Sequence, residues 1–174
     1  MISDDFDPKR VLEVLEKRAV NYVLIGGIGS ALYGSPYPTF DIDICPDPAG
    51  DNLERLAIAL NELGAQEWDP RKEVGVPRDW SAAMLAGDGL WILVTDAGPL
   101  DLVFVPEGTS GYGEISLNKV IFDLDGQMIP VASLEDIIRS KEAAKRPKDV
   151  AHLPALHRLQ ELRDRQQGWN DPGP

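Results

Sequence analysis

The feature that most constrains the fold is an apolar segment that ends in two glycines and is followed by two closely spaced aspartates. The segment Tyr22–Ile25 predicts a buried strand, because a short apolar run bounded by turn residues is typical of one. Gly26 and Gly27 then let the backbone turn sharply and approach a ligand closely. Asp41 and Asp43 alternate with apolar residues, and residues i and i+2 of a strand share a face. Both carboxylates are therefore expected to project from the same side of a strand.

Two aspartates side by side on an apolar strand suggest a cation site. Like charges held next to each other repel, and each raises the proton affinity of the other. A cation between them removes this repulsion, and oxygen ligands suit Mg²⁺ or Mn²⁺, which also bind substrate phosphates. We therefore predict that Asp41 and Asp43 are metal ligands. The alternative interpretation is an exposed face of an edge strand without a ligand.

A later segment offers a third carboxylate. Asp101 lies in Leu100–Val105, which reads as a strand because it is rich in β-branched and other apolar residues. Asp96 is the alternative third carboxylate, but it lies in the predicted turn Asp96–Pro99 between two strands.

The ordered set of these motifs resembles the DNA polymerase β-type nucleotidyltransferase superfamily. Its pattern is an apolar strand, Gly-Gly or Gly-Ser, a spacer, Asp-x-Asp, and a third carboxylate on a later strand; the resemblance covers residues 21–149. It implies an α/β (α+β) fold of the polymerase β-like type, with a small, mixed, mostly antiparallel sheet flanked by helices. It also implies an enzyme that moves a nucleoside monophosphate from a nucleoside triphosphate (NTP) to a hydroxyl and releases pyrophosphate.

The resemblance assigns roles to individual residues. Asp41, Asp43 and Asp101 would be the catalytic residues and the ligands of a two-metal site, and Asp101 would help to deprotonate the acceptor. The residues expected to contact the nucleotide are Gly26, Gly27, Ser30, Thr39, Lys141 and Lys148. Each of them has an open alternative. Gly26 and Gly27 could simply end a strand, Ser30 could simply pack within a helix, and Thr39 could simply favour a strand start. Lys141 and Lys148 could lie on a solvated helix face.

Within the superfamily, the chain is most similar to small bacterial nucleotidyltransferases of the AbiEii/MenT type, many of them toxins of toxin–antitoxin pairs. The similarity rests on Pro130–Asp136, Lys141 and Arg146–Asp149. It implies ATP or another NTP as substrate, a tRNA acceptor and a cognate antitoxin protein. One position departs from that group, because Tyr37 stands where an arginine is frequent two residues before Thr39. A cation for the phosphates is then missing or comes from elsewhere.

Charge favours two acceptor classes. The net charge of −12 argues against broad nucleic-acid binding and favours a small cationic acceptor, such as an aminoglycoside or a lincosamide. The segment 139–148 carries five basic residues against Glu142 alone, which favours RNA. Lys141 and Lys145, four residues apart, are expected to share one helix face. A catalytically inactive nucleotide-binding module is a third interpretation.

Length and composition predict one domain over residues 1–167, with a core at 21–131, a C-terminal helical segment at 133–165 and a disordered tail at 168–174. No apolar run approaches the about 20 residues of a membrane span, and the acidic N-terminus is unlike a signal peptide. We therefore expect a cytoplasmic protein without membrane contact.

The local patterns predict the remaining elements. Predicted helices cover 8–19, 28–33, 51–63 (capped by Asp51), 80–85, 133–145 and 153–165. Predicted strands cover 22–25, 39–45, 91–95 and 100–105, and a hairpin joins 120–124 to 127–131 through Asp125–Gly126. The rest of 65–89 is expected to form loops.

Overall fold

A single mixed sheet organises the molecule, in a computed structural model that describes residues 6–87 and 89–169. Its strands are β1 (Tyr22–Ile25), β2 (Ile42–Pro46), β3 (Gln66–Asp69), β4 (Val74–Pro77), β5 (Leu90–Thr95), β6 (Gly98–Val103), β7 (Val120–Leu124) and β8 (Gln127–Val131). They lie in the order β4-β3-β5-β6-β2-β1-β8-β7. The pairs β1–β8 and β2–β6 are parallel, and the other pairs are antiparallel.

The described helices are α1 (Pro8–Lys17), α2 (Gly26–Leu32), α3 (Gly50–Glu62), α4 (Ala82–Leu85), α5 (Tyr112–Ile115), α6 (Leu134–Ala144) and α7 (Pro147–Trp169). Together with the sheet they confirm the predicted mixed α/β fold with mostly antiparallel strands. No helix in the described ranges is long and apolar enough to cross a membrane.

The core lies against one face of the sheet. Leu93 of β5 and Leu100 and Leu102 of β6 are fully buried, together with leucines of α1 and α3 such as Leu15 and Leu56. Successive strand residues point to opposite faces, so the residues between these leucines project from the other face. The central strands therefore bury one face and leave the opposite face for the site described below.

Several elements follow the sequence prediction. Strand β1 has the predicted bounds, and so do β7 and β8. Asp125 and Gly126 both have positive φ, as the tight hairpin turn requires. Helix α1 begins as predicted, with the Asp7 carboxylate accepting a hydrogen bond from the Arg10 amide at 3.1 Å.

Other predictions were wrong. Helix α3 is capped by Ala49, and Asp51, the predicted cap, lies in its first turn. The region expected to be loops contains the β3–β4 hairpin, whose half-exposed strands lack an apolar alternation. The short helix α5 was not predicted.

The C-terminal helices also differ from the prediction. Helix α7 begins at Pro147, six residues earlier than expected, because proline is well suited to the first turn of a helix. Lys145 ends α6 with a left-handed φ of 52°, so Lys141 and Lys145 do not share a helix face. Of the predicted tail, 168 and 169 belong to α7, and 170–174 lie outside the described residues.

Candidate active site

An open cleft of about 780 Å³ lies on the uncovered face of the central strands, bordered by α2, α6 and the start of α7. All nine of the site residues predicted from the sequence line it: Gly26, Gly27, Ser30, Thr39, Asp41, Asp43, Asp101, Lys141 and Lys148. The fold thus brings these residues together, although they are spread over more than a hundred positions of the sequence.

The three aspartates come from two neighbouring strands. Parallel pairing of β2 with β6 places Asp43 directly opposite Asp101. Thr39 and Asp41 were predicted to lie in a strand over 39–45, but β2 begins three residues later, at Ile42, so both residues precede it. Thr39 therefore reaches the site through a hydrogen bond, since its hydroxyl donates to Asp41 Oδ1 at 2.5 Å.

Burial and mutual repulsion raise the proton affinity of two carboxyls. The pKa of Asp43 is raised by burial and by the charge of Asp41, against a hydrogen bond from the Gly27 amide. The pKa of Asp101 is raised to about 7 by burial and then by the charges of Asp43 and Asp41. Lys148 and Arg146 oppose both shifts, so positive charge also faces this cluster.

The donor set has the chemistry of a hard-cation site. Asp41, Asp43 and Asp101 supply only carboxylate oxygens, and a divalent cation would relieve the repulsion that raises their pKa values. As the side chains stand, no group of three or more acidic, His or Cys residues in the described part of the chain is arranged to hold an ion. Asp43 and Asp101 are directly paired on neighbouring strands and share a sheet face, which is the arrangement that two ligands of one ion require.

The two glycines allow the backbone of α2 to approach the carboxylates. The helix was predicted to begin at Ile28, but it begins at Gly26, which has a φ of +64°. A Cβ on Gly26 would lie 2.6 Å from Asp43 Cγ, and one on Gly27 would lie 2.6 Å from Thr39 Cβ. Larger residues would therefore displace the side chains that form the site.

The Ser30 hydroxyl forms a hydrogen bond within α2. It is buried and donates to the carbonyl oxygen of Gly26 at 2.8 Å. This bond supports the packing alternative for Ser30.

A buried aspartate organises the basic residues of the cleft. The Lys141 ammonium donates to Asp149 Oδ1 at 2.8 Å, and Arg146 Nε donates to Asp149 Oδ2 at 2.7 Å. Asp149 is fully buried, whereas Lys148 lines the cleft and makes no ion pair among the described residues. Arg146 and Asp149 were absent from the predicted site, although the segment Arg146–Asp149 carried part of the resemblance.

Tyr37 does not replace the missing arginine as a cation. Its ring stacks on His152 with a centroid distance of 3.9 Å, and its hydroxyl donates to the Ala151 carbonyl at 3.3 Å. It thus joins the segment before β2 to α7. Positive charge reaches the cleft instead from Arg146, which precedes α7, and from Lys148 in its first turn.

Asp96 lies away from the cleft. It follows β5 at the far end of that strand from Leu90, and a Cβ on Gly64 would lie 2.6 Å from its Oδ2. Of the two candidate third carboxylates, only Asp101 lines the cleft.

The fold of this chain is similar to that of several solved structures. No protein-family model matches the sequence, and no curated protein matches it. A Thermotoga maritima protein assigned as a nucleotidyltransferase is 17% identical, with a TM-score of 0.52 over 94% of this chain and 90% of that chain. The lincosamide antibiotic adenylyltransferase LnuA, solved with lincomycin bound, is 17% identical, with a TM-score of 0.58 over 90% of this chain and 99% of that chain.

The antibiotic-resistance factor ANT(2″)-Ia gives a similar match, with 14% identity and a TM-score of 0.56 over 93% of this chain and 90% of that chain. The chain has the nucleotidyltransferase fold. This finding agrees with the fold that the sequence resemblance implied. At these identities the similarity concerns the fold, and the roles of the cleft residues stay predictions.

One part of the cleft was missed by sequence reasoning. Leu90, Ile92, Val103 and Val105, here called the apolar wall, line the cleft beyond Asp101. Antiparallel register pairs Leu90 with Val103 and Ile92 with Asp101, so the apolar wall and the Asp101 carboxylate share a sheet face. The available signal was the spacing of Leu90 and Ile92, but Trp91 and Leu93 between them are also apolar.

Proposed function

We propose that this protein is a metal-dependent nucleotidyltransferase that moves a nucleoside monophosphate from an NTP to a hydroxyl and releases pyrophosphate. The observation that carries the proposal is the meeting of Asp41, Asp43 and Asp101 in one cleft of a nucleotidyltransferase fold. A tight glycine turn and a basic segment border the same cleft.

The three carboxylates would hold Mg²⁺ or Mn²⁺, and the bound metal would supply charge neutralisation for the phosphates. Gly26 and Gly27 line the cleft beside the carboxylates and would bring the backbone close to a phosphate. Lys148 and Arg146 would attract its negative charge. Lys141 and Thr39 also line the cleft, but Lys141 is bonded to Asp149 and Thr39 to Asp41, so both would act mainly by positioning those carboxylates. The side chain of Ser30 is already bonded within its helix and contributes less.

Asp101 is the residue best suited to accept the proton of the acceptor hydroxyl. It lies directly opposite Asp43 and next to Ile92 in the sheet, so its carboxylate would meet a hydroxyl that enters the cleft from the β5 side. Its raised pKa of about 7 belongs to the metal-free site, and a bound cation would lower it. The acceptor oxygen would form a bond to the α-phosphorus while the bond from that phosphorus to pyrophosphate breaks. The hydroxyl proton would pass to Asp101.

The structure weakens the main sequence argument for an RNA acceptor. Of the five basic residues in 139–148, Arg139 pairs with Glu114 and Asp136, and Lys141 and Arg146 pair with Asp149. These ion pairs leave less positive charge for an RNA backbone. LnuA and ANT(2″)-Ia, which share the fold, act on or resist antibiotics, and a small acceptor agrees with the acidic net charge. We therefore place a small-molecule acceptor ahead of tRNA.

A toxin role, antitoxin control and cytoplasmic location stay predictions.

Isotope transfer tests the proposed reaction. The protein is incubated with Mg²⁺, NTPs labelled at either the α- or the γ-phosphorus, and in parallel total tRNA or a bacterial small-molecule extract. We expect the α-label in an acceptor and the γ-label in pyrophosphate, with EDTA abolishing both. Asp43→Asn should abolish transfer, while Asp96→Asn, an aspartate outside the cleft, should retain it.

Two results would contradict the reaction. Appearance of the γ-label in an acceptor would indicate phosphoryl transfer, and equal activity of Asp43→Asn and wild type would exclude the carboxylate site. Label in tRNA instead of the small-molecule fraction would reverse the order of the two acceptor classes.

A further inference from the structure

We infer that the acceptor is a small hydroxylated compound with an apolar face, which lies against the apolar wall and directs a hydroxyl at Asp101. This inference rests on the proposed function, because it places the acceptor in the cleft that would carry the reaction. It concerns the chemical class of the acceptor, which the conserved geometry of the fold does not specify.

The apolar wall is formed by β5, the end of β6 and Val105 just after it, and it stays largely exposed in the part of the chain that the structure describes. Leu90 is 60% exposed, Ile92 is 46% exposed and Val105 is 41% exposed. On the opposite face of the same strands, Leu93, Leu100 and Leu102 are fully buried. Contiguous exposed apolar surface inside a cleft is typical of a ligand-binding surface, because covering it with an apolar group removes it from water.

Sheet order places the apolar wall on the side of the carboxylates opposite the glycine turn, and this side is here called the acceptor side. In the order β5-β6-β2-β1, Ile92 pairs with Asp101, and Asp101 pairs with Asp43. The glycine turn follows β1, on the far side of β2 from the apolar wall. A nucleotide at the glycine turn and a compound on the apolar wall would therefore meet from opposite sides at Asp43 and Asp101.

Charge and size select among possible acceptors. The apolar wall ends next to Pro106 and the exposed Glu107. The basic residues that border the cleft come from α6, from α7 and from the link between these helices: Lys141, Lys148 and Arg146. An RNA backbone would find apolar side chains and carboxylates on the acceptor side, and no basic residue of β5 or β6. The cleft volume of about 780 Å³ suits small ligands.

A pair of neutral probes isolates the apolar contribution. Methyl β-D-glucoside and hexyl β-D-glucoside have the same hydroxyl groups and differ in the alkyl chain. Their dissociation constants are measured by saturation-transfer NMR on the full chain, with EDTA and without NTP. We expect hexyl glucoside to bind at least tenfold more tightly, because its chain can cover the apolar wall.

Serine substitutions locate the binding. Ile92→Ser should weaken hexyl glucoside binding at least fivefold and leave methyl glucoside binding unchanged. Ile121→Ser is the matched control, because Ile121 is also a half-exposed strand residue, at 51%, but lies outside the cleft. Leu90→Ser, at the most exposed position of the apolar wall, repeats the test should Ile92→Ser lower the melting temperature.

The inference is overturned if the two glucosides bind equally, or if Ile121→Ser weakens hexyl glucoside binding as much as Ile92→Ser. It is also overturned if tRNA displaces hexyl glucoside and binds the Ile92→Ser variant as tightly as wild type. Because binding is measured without NTP or metal, failure of nucleotidyl transfer would leave this result standing. Failure of the glucoside test would likewise leave the transfer reaction standing.

Discussion

At the scale of residues, the distinctive property of the cleft is the clustering of like charges. Asp43 and Asp101 face each other on adjacent strands, and burial together with repulsion raises the pKa of both. Such an arrangement lowers the stability of the metal-free fold whenever the carboxyls ionise. A residue cluster that costs stability is typical of a functional site.

Asp101→Asn should reveal this cost as a pH-dependent gain of stability. The folded-state pKa of Asp101 is about 7, above its value in the unfolded chain, so the unfolded state loses its proton first as the pH rises. Stability is therefore lost between about pH 4 and pH 7, and the loss is constant above that range. Asp101→Asn has no carboxyl at this position, so it does not lose this part of its folding stability as the pH rises. In EDTA, the difference in melting temperature between variant and wild type should widen from pH 5 to pH 8.

Asp96→Asn is the control and should show no such widening, because Asp96 lies outside the carboxylate cluster. A difference for Asp101→Asn that is constant with pH would show that its carboxyl titrates normally.

The aspartates could be predicted from sequence because a spacing of two on an apolar strand fixes their common direction, and the superfamily pattern supplied Asp101. The hydrogen-bond partner of Lys141 could not be predicted from the sequence. Its pairing with Asp149 depends on the left-handed turn at Lys145, a backbone conformation that lysine rarely adopts and that no local signal announced.

At the scale of elements, the joint between α6 and α7 holds one wall of the cleft. Asp149 lies in the first turn of α7 and accepts hydrogen bonds from Lys141 of α6 and from Arg146 between the helices. Burial raises the pKa of Asp149, but these two hydrogen bonds outweigh it, and the pKa lies below its usual range. The buried ion pair therefore fixes where Lys148 and Arg146 face the cleft.

Removing the buried partner should be costly. Asp149→Ala leaves the buried Lys141 ammonium without its acceptor, and such changes typically cost about 3 kcal/mol. Glu142→Ala is the matched control, because Glu142 pairs with His157 at 3.2 Å on the surface, and its loss should cost less than about 1 kcal/mol. Urea unfolding measures both. Equal free energies of unfolding for the two variants would show that the pair at Asp149 does not stabilise the joint.

Predictability also varied among elements. The hairpin β7–β8 was found because Asp125–Gly126 suits its turn, whereas β3–β4 has half-exposed strands with polar residues and no such dipeptide. Helix α2 was placed two residues late because glycines normally end a strand or helix, and here they begin a helix against Asp43. Tertiary contacts overrode the local signal at that position.

At the scale of the whole molecule, the sheet order places the candidate site residues at the centre of one open face. The strands that carry the carboxylates lie at the centre, with the glycine turn on one side and the apolar wall on the other. The same fold occurs in proteins that are only 13–17% identical to this chain. The similarity to these proteins therefore concerns the fold, and the proposed reaction and acceptor depend on the residues of the cleft.

The most direct test of the central claim is calorimetric titration of a non-hydrolysable ATP analogue, and of the corresponding GTP, CTP and UTP analogues, into the protein with Mg²⁺ or with EDTA. We predict that at least one analogue binds with Mg²⁺ and loses at least tenfold in affinity in EDTA. Asp43→Asn should abolish this dependence on Mg²⁺, whereas Asp96→Asn should preserve it. Binding that is equal with Mg²⁺ and with EDTA, or unchanged in Asp43→Asn, would contradict a metal-dependent nucleotide site at Asp41, Asp43 and Asp101.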